Sequence, residues 1–145
     1  MACLVDTNIL LRMAQPQHPH SAHAQMAVSI LRSRHEKLFV AAQNLFEFWA
    51  VATRTQGENG LAMSIGEIAR EIASMRRLFT LLPELPIFDE WERLVTKYAV
   101  SGKSTHDARL VAVMSQQNIT SILTFNVRDF ARYDGISVVD PRTVT

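Results

Sequence analysis

Residues 2–11, ACLVDTNILL, contain a single charge, Asp6. The apolar residues before Asp6 are typical of a buried strand, whereas Asp, Thr and Asn all favour the beginning of a helix. This stretch therefore predicts a central strand that passes directly into a helix at Asp6. Two interpretations of Asp6 stay open at this point: a plain helix cap, and a carboxylate that faces a crevice at the carboxyl end of the strand.

The same alternation of strand and helix continues to the end of the chain. Short runs rich in branched and aromatic residues predict strands, and longer runs with helical spacing lie between them. The predicted strands are Cys3–Val5, Leu38–Ala41, Phe79–Leu82, Ser121–Thr124 and Ser137–Val139, and the predicted helices are Ser21–Ser33, Gln43–Thr53, Ser64–Arg77, Ile87–Ala99 and Thr105–Gln116. This order predicts an α/β protein, a three-layer α/β/α sandwich of parallel strands joined by helical crossovers. Active sites of such sheets lie beyond the carboxyl ends of the strands.

The composition is that of one folded domain, residues 1–145. Apolar residues make up 48% of the chain and charged residues 20%, which excludes a disordered chain. The net charge is +1, so a nucleic-acid partner would have to be held locally rather than by overall attraction. No apolar run approaches the length of a membrane span, and a single cysteine excludes a disulfide framework. We therefore expect a soluble, cytoplasmic protein with no membrane partner.

Several common sites are not supported by the sequence. There is no G-x-S-x-G nucleophile elbow, no G-x-G-x-x-G and no Walker A stretch. His18, His20 and His23 lie close together in a proline-containing loop that leads into a helix, without an accompanying cysteine or acid, and we interpret them as solvated residues.

Glu47 is the only charge in residues 38–53, LFVAAQNLFEFWAVAT. A carboxylate in such apolar surroundings needs a cation, a set of hydrogen bonds or a proton, because burying it alone is costly. Two explanations stay open for Glu47, a buried ion pair with Arg54 or Arg109 and a bound metal ion.

Further polar residues fall at predicted strand ends. Asp107 lies in the first turn of a predicted helix, which we expect Ser104 or Thr105 to cap, and the helix dipole alone could account for an acid there. Asn126 and Asp129 follow the strand that ends at Thr124, and turn formation is their simplest explanation.

Together these positions predict several hard oxygen ligands at one edge of the sheet. Clustered carboxylates raise one another's pKa values unless a cation lies among them. Mg²⁺ or Mn²⁺ prefers oxygen ligands and retains waters that a substrate can replace. Such a site suits hydrolysis of a phosphodiester bond, which requires no nucleophile from the protein.

Four stretches of the chain resemble the PIN domain. They are LVDTNILL (Leu4–Leu11), the acid in NLFEF (Asn44–Phe48), HDARLVA (His106–Ala112) and ILTFNVRDF (Ile122–Phe130). Their order and spacing are similar to those of the small single-domain bacterial members, VapC-type toxins included, and the resemblance covers nearly the whole chain. It implies a five-stranded parallel sheet and a ribonuclease that depends on Mg²⁺ or Mn²⁺ and leaves a 5′-phosphate and a 3′-hydroxyl.

The resemblance also implies roles for individual residues. Asp6, Glu47 and Asp107 match the acids of the metal site, and Asn8 matches a residue that orients it. Many members carry a fourth acid where this chain has Asn126, so Asp129 is the nearest carboxylate for a catalytic role there.

Basic and aromatic side chains give weaker indications of partners. Lys103 and Arg128 each lie close in sequence to a proposed acid and could contact RNA phosphates, although solvated charge is the simpler explanation. We assign Phe46, Phe48, Trp49 and Trp91 to the core, and some of them to a homodimer surface or to a surface for an antitoxin protein.

We therefore predict a metal-dependent ribonuclease, either the toxin of a type II toxin–antitoxin pair or a housekeeping nuclease. Two other functions stay open. The first is a catalytically inactive PIN-like module that binds RNA or protein, which the missing acid at Asn126 would suit. The second is a metal-dependent phosphatase.

Overall fold

The structure, a computed structural model, describes residues 1–145 as one sheet between two layers of helices. The strands are β1 (Ala2–Val5), β2 (Lys37–Val40), β3 (Thr80–Leu81), β4 (Ser121–Leu123) and β5 (Ser137–Val139). The helices are α1 (Thr7–Met13), α2 (Ser21–Ser33), α3 (Ala42–Thr53), α4 (Ile65–Leu78), α5 (Phe88–Lys97), α6 (Ser104–Gln116) and α7 (Val127–Phe130), with short 3₁₀ turns at Gln56–Glu58 and Pro141–Thr143. None of the helices combines the length and apolar character needed to cross a membrane.

The sheet is entirely parallel, with the order β3-β2-β1-β4-β5. The central strand β1 pairs with β2 on one side and with β4 on the other, so that Cys3 lies opposite both Leu38 and Ser121. The chain therefore reaches β2 and β4 by crossovers in opposite directions, which opens a crevice at the carboxyl end of β1. The predicted five-stranded α/β/α sandwich is confirmed.

Two apolar clusters fill the space on either side of the sheet. Alternate residues of β1 divide between them: Cys3 and Val5 pack with α1 to α4, whereas Leu4 packs with α5 to α7. This alternation follows from the two-residue period of a strand. Because both faces of the sheet are covered, its strands are mostly apolar, and their polar residues stand at the first positions: Lys37, Thr80, Ser121 and Ser137.

Most predicted elements have the expected positions, and the differences lie at their ends. A capping box begins α4, since Ser64 and Glu67 exchange two hydrogen bonds of 3.2 Å between side chain and backbone. The edge strand β3 is shorter than predicted and spans Thr80–Leu81, although the backbone N–H of Leu82 still donates to the Val40 carbonyl of β2 at 2.9 Å. The helices α1 and α7 begin directly after the strands β1 and β4, which places their first residues at the crevice.

Candidate active site

A cavity of about 300 Å³ opens at the carboxyl ends of β1 and β4. It is lined mainly by polar side chains from the β1–α1 junction, from α3 and α6, and from the residues after β4. Its polar lining residues include Asp6, Asn8, Glu47, Arg54, Asp107 and Asn126. The structure therefore brings together the three acids on which the metal-site prediction depends.

Asp6 is both a helix cap and a cavity residue, so the two interpretations of the sequence are compatible. It is the N-cap of α1 and only 6% exposed. Its carboxylate accepts hydrogen bonds from the Thr7 backbone N–H at 2.7 Å and from the Thr124 hydroxyl at 2.7 Å. Burial raises the pKa of Asp6 to about 6, although these two hydrogen bonds lower it and the charge of Glu47 raises it.

Asn8 connects the two strand ends on either side of the crevice. Its side-chain N–H₂ donates to Asp6 at 3.3 Å and to the Thr124 hydroxyl at 3.0 Å. Its carbonyl oxygen accepts from the Phe125 backbone N–H at 3.2 Å. The amide therefore fixes the carboxylate of Asp6 relative to the chain that follows β4.

Glu47 faces the cavity from α3 and is held by uncharged donors. Its Oε2 accepts from the Thr7 hydroxyl at 3.0 Å, and its Oε1 accepts from the Gln43 side chain at 2.6 Å. The only salt bridges in the structure are Arg93–Glu90 and Arg142–Asp140, so the ion pair of Glu47 with Arg54 or Arg109 considered from the sequence is wrong. Thr7 and Gln43 supply hydrogen bonds but leave the negative charge of Glu47 without a cation.

Gln43 and Asn44 support the site and were not identified from the sequence. Gln43 is 7% exposed, and the same N–H₂ group that donates to Glu47 donates to the His106 carbonyl at 3.1 Å. Asn44 donates to the Thr7 hydroxyl at 3.2 Å, which in turn donates to Glu47. The sequence does indicate a role for these residues, because the two amides interrupt an apolar run and Gln43 lies one helical turn before Glu47.

Asp107 lies in the first turn of α6, as predicted, and its pKa is raised further than that of Asp6. Burial raises the pKa of Asp107 to about 7, with further contributions from the charges of Asp6, Asp129 and Glu47.

The expected cap of α6 by Ser104 or Thr105 is wrong. Ser104 is already the first residue of the helix, the N-cap Lys103 makes no side-chain cap bond, and the Thr105 hydroxyl instead donates to the Gly102 carbonyl at 2.7 Å.

The remaining candidate residues divide between the cavity and its surroundings. Asn126 lines the cavity with the three acids, and its backbone N–H donates to the Thr124 hydroxyl at 3.0 Å. Asp129 is exposed on α7 and lines a neighbouring cavity together with Arg128. Its charge nevertheless raises the pKa values of both Asp6 and Asp107. Lys103 is exposed and does not line the cavity of the three acids.

The donor set suits a hard divalent cation in its chemistry. Three carboxylates face one cavity without a salt bridge, and two of them have raised pKa values for which burial and mutual repulsion are the causes. No group of three His, Cys, Asp or Glu side chains is close enough to bind one ion directly, and this includes His18, His20 and His23. A small ion that keeps several of its waters fits such a wide carboxylate set.

Comparison with known proteins gives consistent results at the level of sequence family and of fold. A family model described as the PIN domain matches residues 3–136. Among curated proteins, no match is found. Among solved structures, VapBC2 from Rickettsia felis, bound to a DNA fragment from its promoter, aligns with a TM-score of 0.69 and 12% identity over 96% of this chain and 98% of that one.

Two further structures have the same fold at low identity. A toxin-antitoxin complex from Klebsiella pneumoniae aligns with a TM-score of 0.64 and 21% identity over 96% of this chain and 97% of that one. FitAcB from Neisseria gonorrhoeae aligns with a TM-score of 0.67 and 18% identity over 99% of both chains.

Proposed function

Because this chain belongs to the PIN domain family, we propose that it is a divalent-metal-dependent ribonuclease that hydrolyses phosphodiester bonds of RNA. One observation carries the proposal: three carboxylates, those of Asp6, Glu47 and Asp107, face one cavity and none forms a salt bridge. Such an arrangement is unfavourable without a cation, because the acids repel one another. A bound Mg²⁺ or Mn²⁺ would offset this repulsion, because such ions prefer carboxylate oxygens as ligands.

In this proposal Asp6, Glu47 and Asp107 hold Mg²⁺ or Mn²⁺, in part through water. The chemistry that such an ion supplies when bound is stabilisation of negative charge at phosphorus and a more acidic water molecule. Asn8 orients Asp6 through its 3.3 Å hydrogen bond, and Gln43 orients Glu47 through its 2.6 Å hydrogen bond. Both amides restrict the carboxylates without neutralising their charge, which leaves that charge available for a cation.

Asn126 and Asp129 are the two candidates for the fourth position of the site, where many members of the family carry an acid. Asn126 lines the cavity and can donate its side-chain N–H₂ to a phosphate oxygen, a contact that a carboxylate in that place would repel. Asp129 is exposed beside it and acts on the acids through its charge. Arg128 and Lys103 are exposed and positively charged, and we assign them to the phosphates of RNA outside the cavity.

We further propose that the chain is the toxin of a type II toxin–antitoxin pair that acts in the cytoplasm. Solved structures with the same fold include toxin–antitoxin assemblies, which supports an antitoxin protein as a partner. Phe46 and Trp49 are exposed on α3, and large exposed aromatic side chains are enriched in protein interfaces. They offer a surface for a homodimer or for the antitoxin.

The proposed activity is tested with a labelled single-stranded RNA of mixed sequence. We expect cleavage with Mg²⁺ or Mn²⁺ and none with EDTA. Asp6→Asn is expected to abolish cleavage, whereas Asp134→Asn, which changes an exposed aspartate outside the cavity, is expected to retain it.

Other outcomes identify the other functions. Binding of RNA without cleavage, and unchanged by Asp6→Asn, would establish an inactive binding module. Turnover of a small phosphomonoester without cleavage of RNA would establish a phosphatase.

A further inference from the structure

A second pocket, which the proposed chemistry does not use, lies between the N-terminal ends of α5 and α6. It has a volume of about 390 Å³ and is lined by Ile87, Phe88, Trp91, Thr105, His106 and Arg109. This volume lies in the range of pockets that bind small organic groups. Its lining is half aromatic or aliphatic and half polar, and it includes no acid.

One wall of this pocket is a rigid aromatic surface. Phe88 is 63% exposed, and its ring centroid lies 5.8 Å from that of Trp91 at an interplanar angle of 36°. The indole N–H of Trp91 donates to the Thr105 carbonyl at 2.9 Å, which fixes the indole against α6. Phe88 therefore presents a ring to solvent from a fixed support, and exposing a ring in this way brings no gain in folding stability.

The other wall carries positive charge. Arg109 is exposed and forms no salt bridge, so its guanidinium is free to bind an anion. His106 is exposed beside it and offers ring nitrogens for hydrogen bonds. An aromatic ring next to an unpaired guanidinium suits a group that combines a flat base with a phosphate.

The pocket is linked to the cavity of the three acids through the side chain of Gln43. His106 immediately precedes Asp107 in the chain, and its carbonyl accepts from Gln43 at 3.1 Å. The same side-chain amide donates to Glu47 at 2.6 Å. One amide group therefore separates the wall of the pocket from the carboxylates of the proposed active site.

We propose that this pocket binds one nucleotide of a single-stranded RNA next to the cleaved bond, with the base stacked on Phe88 and a phosphate beside Arg109. The proposal rests on the ribonuclease function above and assigns Phe88 a role in selecting single-stranded RNA as the substrate. Single-stranded RNA is favoured because its unstacked bases are free to stack on an aromatic side chain. Phe88 then contributes to the affinity for RNA without contacting the reacting atoms.

The test compares two apolar side chains of similar exposure. Phe88→Ala removes the ring from the pocket, and Met26→Ala removes a side chain that is 61% exposed but lies on α2, away from both cavities. RNA affinity is measured by fluorescence anisotropy of a labelled mixed-sequence single strand, in an Asp6→Asn background that prevents cleavage. We expect Phe88→Ala to weaken binding about 5- to 100-fold, Phe88→Tyr to restore most of it, and Met26→Ala to leave it unchanged.

Two further measurements identify what occupies the pocket. A single abasic nucleotide, moved along the RNA, is expected to weaken binding at one position, and this loss is expected to disappear in Phe88→Ala. Arg109→Ala is expected to reduce the slope of log affinity against log salt by about one. Sedimentation of each variant shows whether the surface instead joins two copies of the chain.

The outcomes separate this inference from the proposed function. If the unmodified chain cleaves RNA while Phe88→Ala and Met26→Ala bind it equally, the pocket inference is wrong and the ribonuclease remains. If Phe88→Ala changes the oligomeric state and not the dependence on the abasic position, the occupant is a second copy and the inference is also wrong. If the unmodified chain neither binds nor cleaves RNA, both proposals fail.

Discussion

The hydroxyl of Thr124 donates a 2.7 Å hydrogen bond to the carboxylate of Asp6, although 118 positions separate the two residues in the chain. This contact exists because β1 and β4 are neighbours in the sheet, so that the residues after their carboxyl ends meet. The Asp6 backbone N–H also donates to the Leu123 carbonyl at 3.0 Å. The sheet thereby sets the position of the most deeply buried acid of the site.

Thr124→Val tests this contact by removing the hydroxyl from a fully buried position. We expect the free energy of unfolding to fall by about 1–3 kcal/mol, because the buried carboxylate loses a donor. The affinity for Mn²⁺ should fall about 10- to 100-fold. Urea denaturation and calorimetric titration measure the two effects, and Thr124→Ser, which keeps the hydroxyl, should resemble the unmodified chain. If Thr124→Val and Thr124→Ser have equal stability and equal affinity for Mn²⁺, the hydrogen bond has no role.

Gln43→Met tests whether the amide holds Glu47 in place. Methionine has a similar length but donates no hydrogen bond, so Glu47 and the His106 carbonyl lose a common donor. We expect the affinity for Mn²⁺ to fall about 10- to 100-fold, with little change in circular dichroism. Gln25→Met, on the exposed face of α2, is the matched control and should bind Mn²⁺ as the unmodified chain does. An unchanged affinity in Gln43→Met would exclude a positioning role.

The raised pKa of Asp107 predicts a dependence of stability on pH in the metal-free protein. The folded chain holds a proton on Asp107 up to a pKa of about 7, whereas the ordinary value is 3.8. Between these values the folded state binds more protons than the unfolded state, so raising the pH lowers the free energy of unfolding. Asp107→Asn removes this cost and should gain about 1–2 kcal/mol relative to the unmodified chain between pH 4 and pH 8, since solvent screens a half-buried group.

The measurement is urea denaturation in EDTA at pH 4 and pH 8, with Asp134→Asn as the control at an exposed site. A difference between Asp107→Asn and the unmodified chain that is the same at both pH values would contradict the raised pKa. At pH 8, Mg²⁺ should stabilise the unmodified chain more than the variant, because a bound cation removes the repulsion that the variant lacks.

Asn126→Asp adds a fourth carboxylate to the cavity lining. We expect tighter binding of Mn²⁺, because the added charge attracts the ion, together with lower stability of the metal-free chain. Asp129→Asn should weaken binding less than Asp6→Asn does, since Asp129 is exposed on α7 and outside this cavity. Calorimetric titration of the three variants measures these affinities. Looser binding in Asn126→Asp would show that Asn126 lies outside the ion's reach.

The sheet and most helices could be predicted because the apolar pattern of each element is local. The strand at Cys3–Val5 and the helix Ser21–Ser33 are examples, since period and flanking residues suffice to locate them. The start of α6 could not be located in the same way. The positive φ of Gly102, 63°, turns the chain so that Lys103 precedes the helix, and the preference of Ser and Thr for helix caps does not predict such a start.

The acids of the cavity could also be identified, but their partners could not. Glu47 is conspicuous as the one charge of an apolar run, yet its partner Thr7 lies 40 positions away. Which donor reaches it depends on how α1 and α3 pack, which no local pattern contains. The expected arginine partner was wrong for this reason, and the exposure of Phe88 depends in the same way on packing between α5 and α6.

Titration of Mn²⁺ into the metal-free chain, followed by calorimetry, tests the central claim that Asp6, Glu47 and Asp107 bind a divalent ion together. We expect saturable binding by the unmodified chain that is at least about 10-fold weaker in Asp6→Asn, in Glu47→Gln and in Asp107→Asn, with Asp134→Asn unchanged. Absence of saturable binding by the folded, unmodified chain, or equal binding by all four variants, would contradict it.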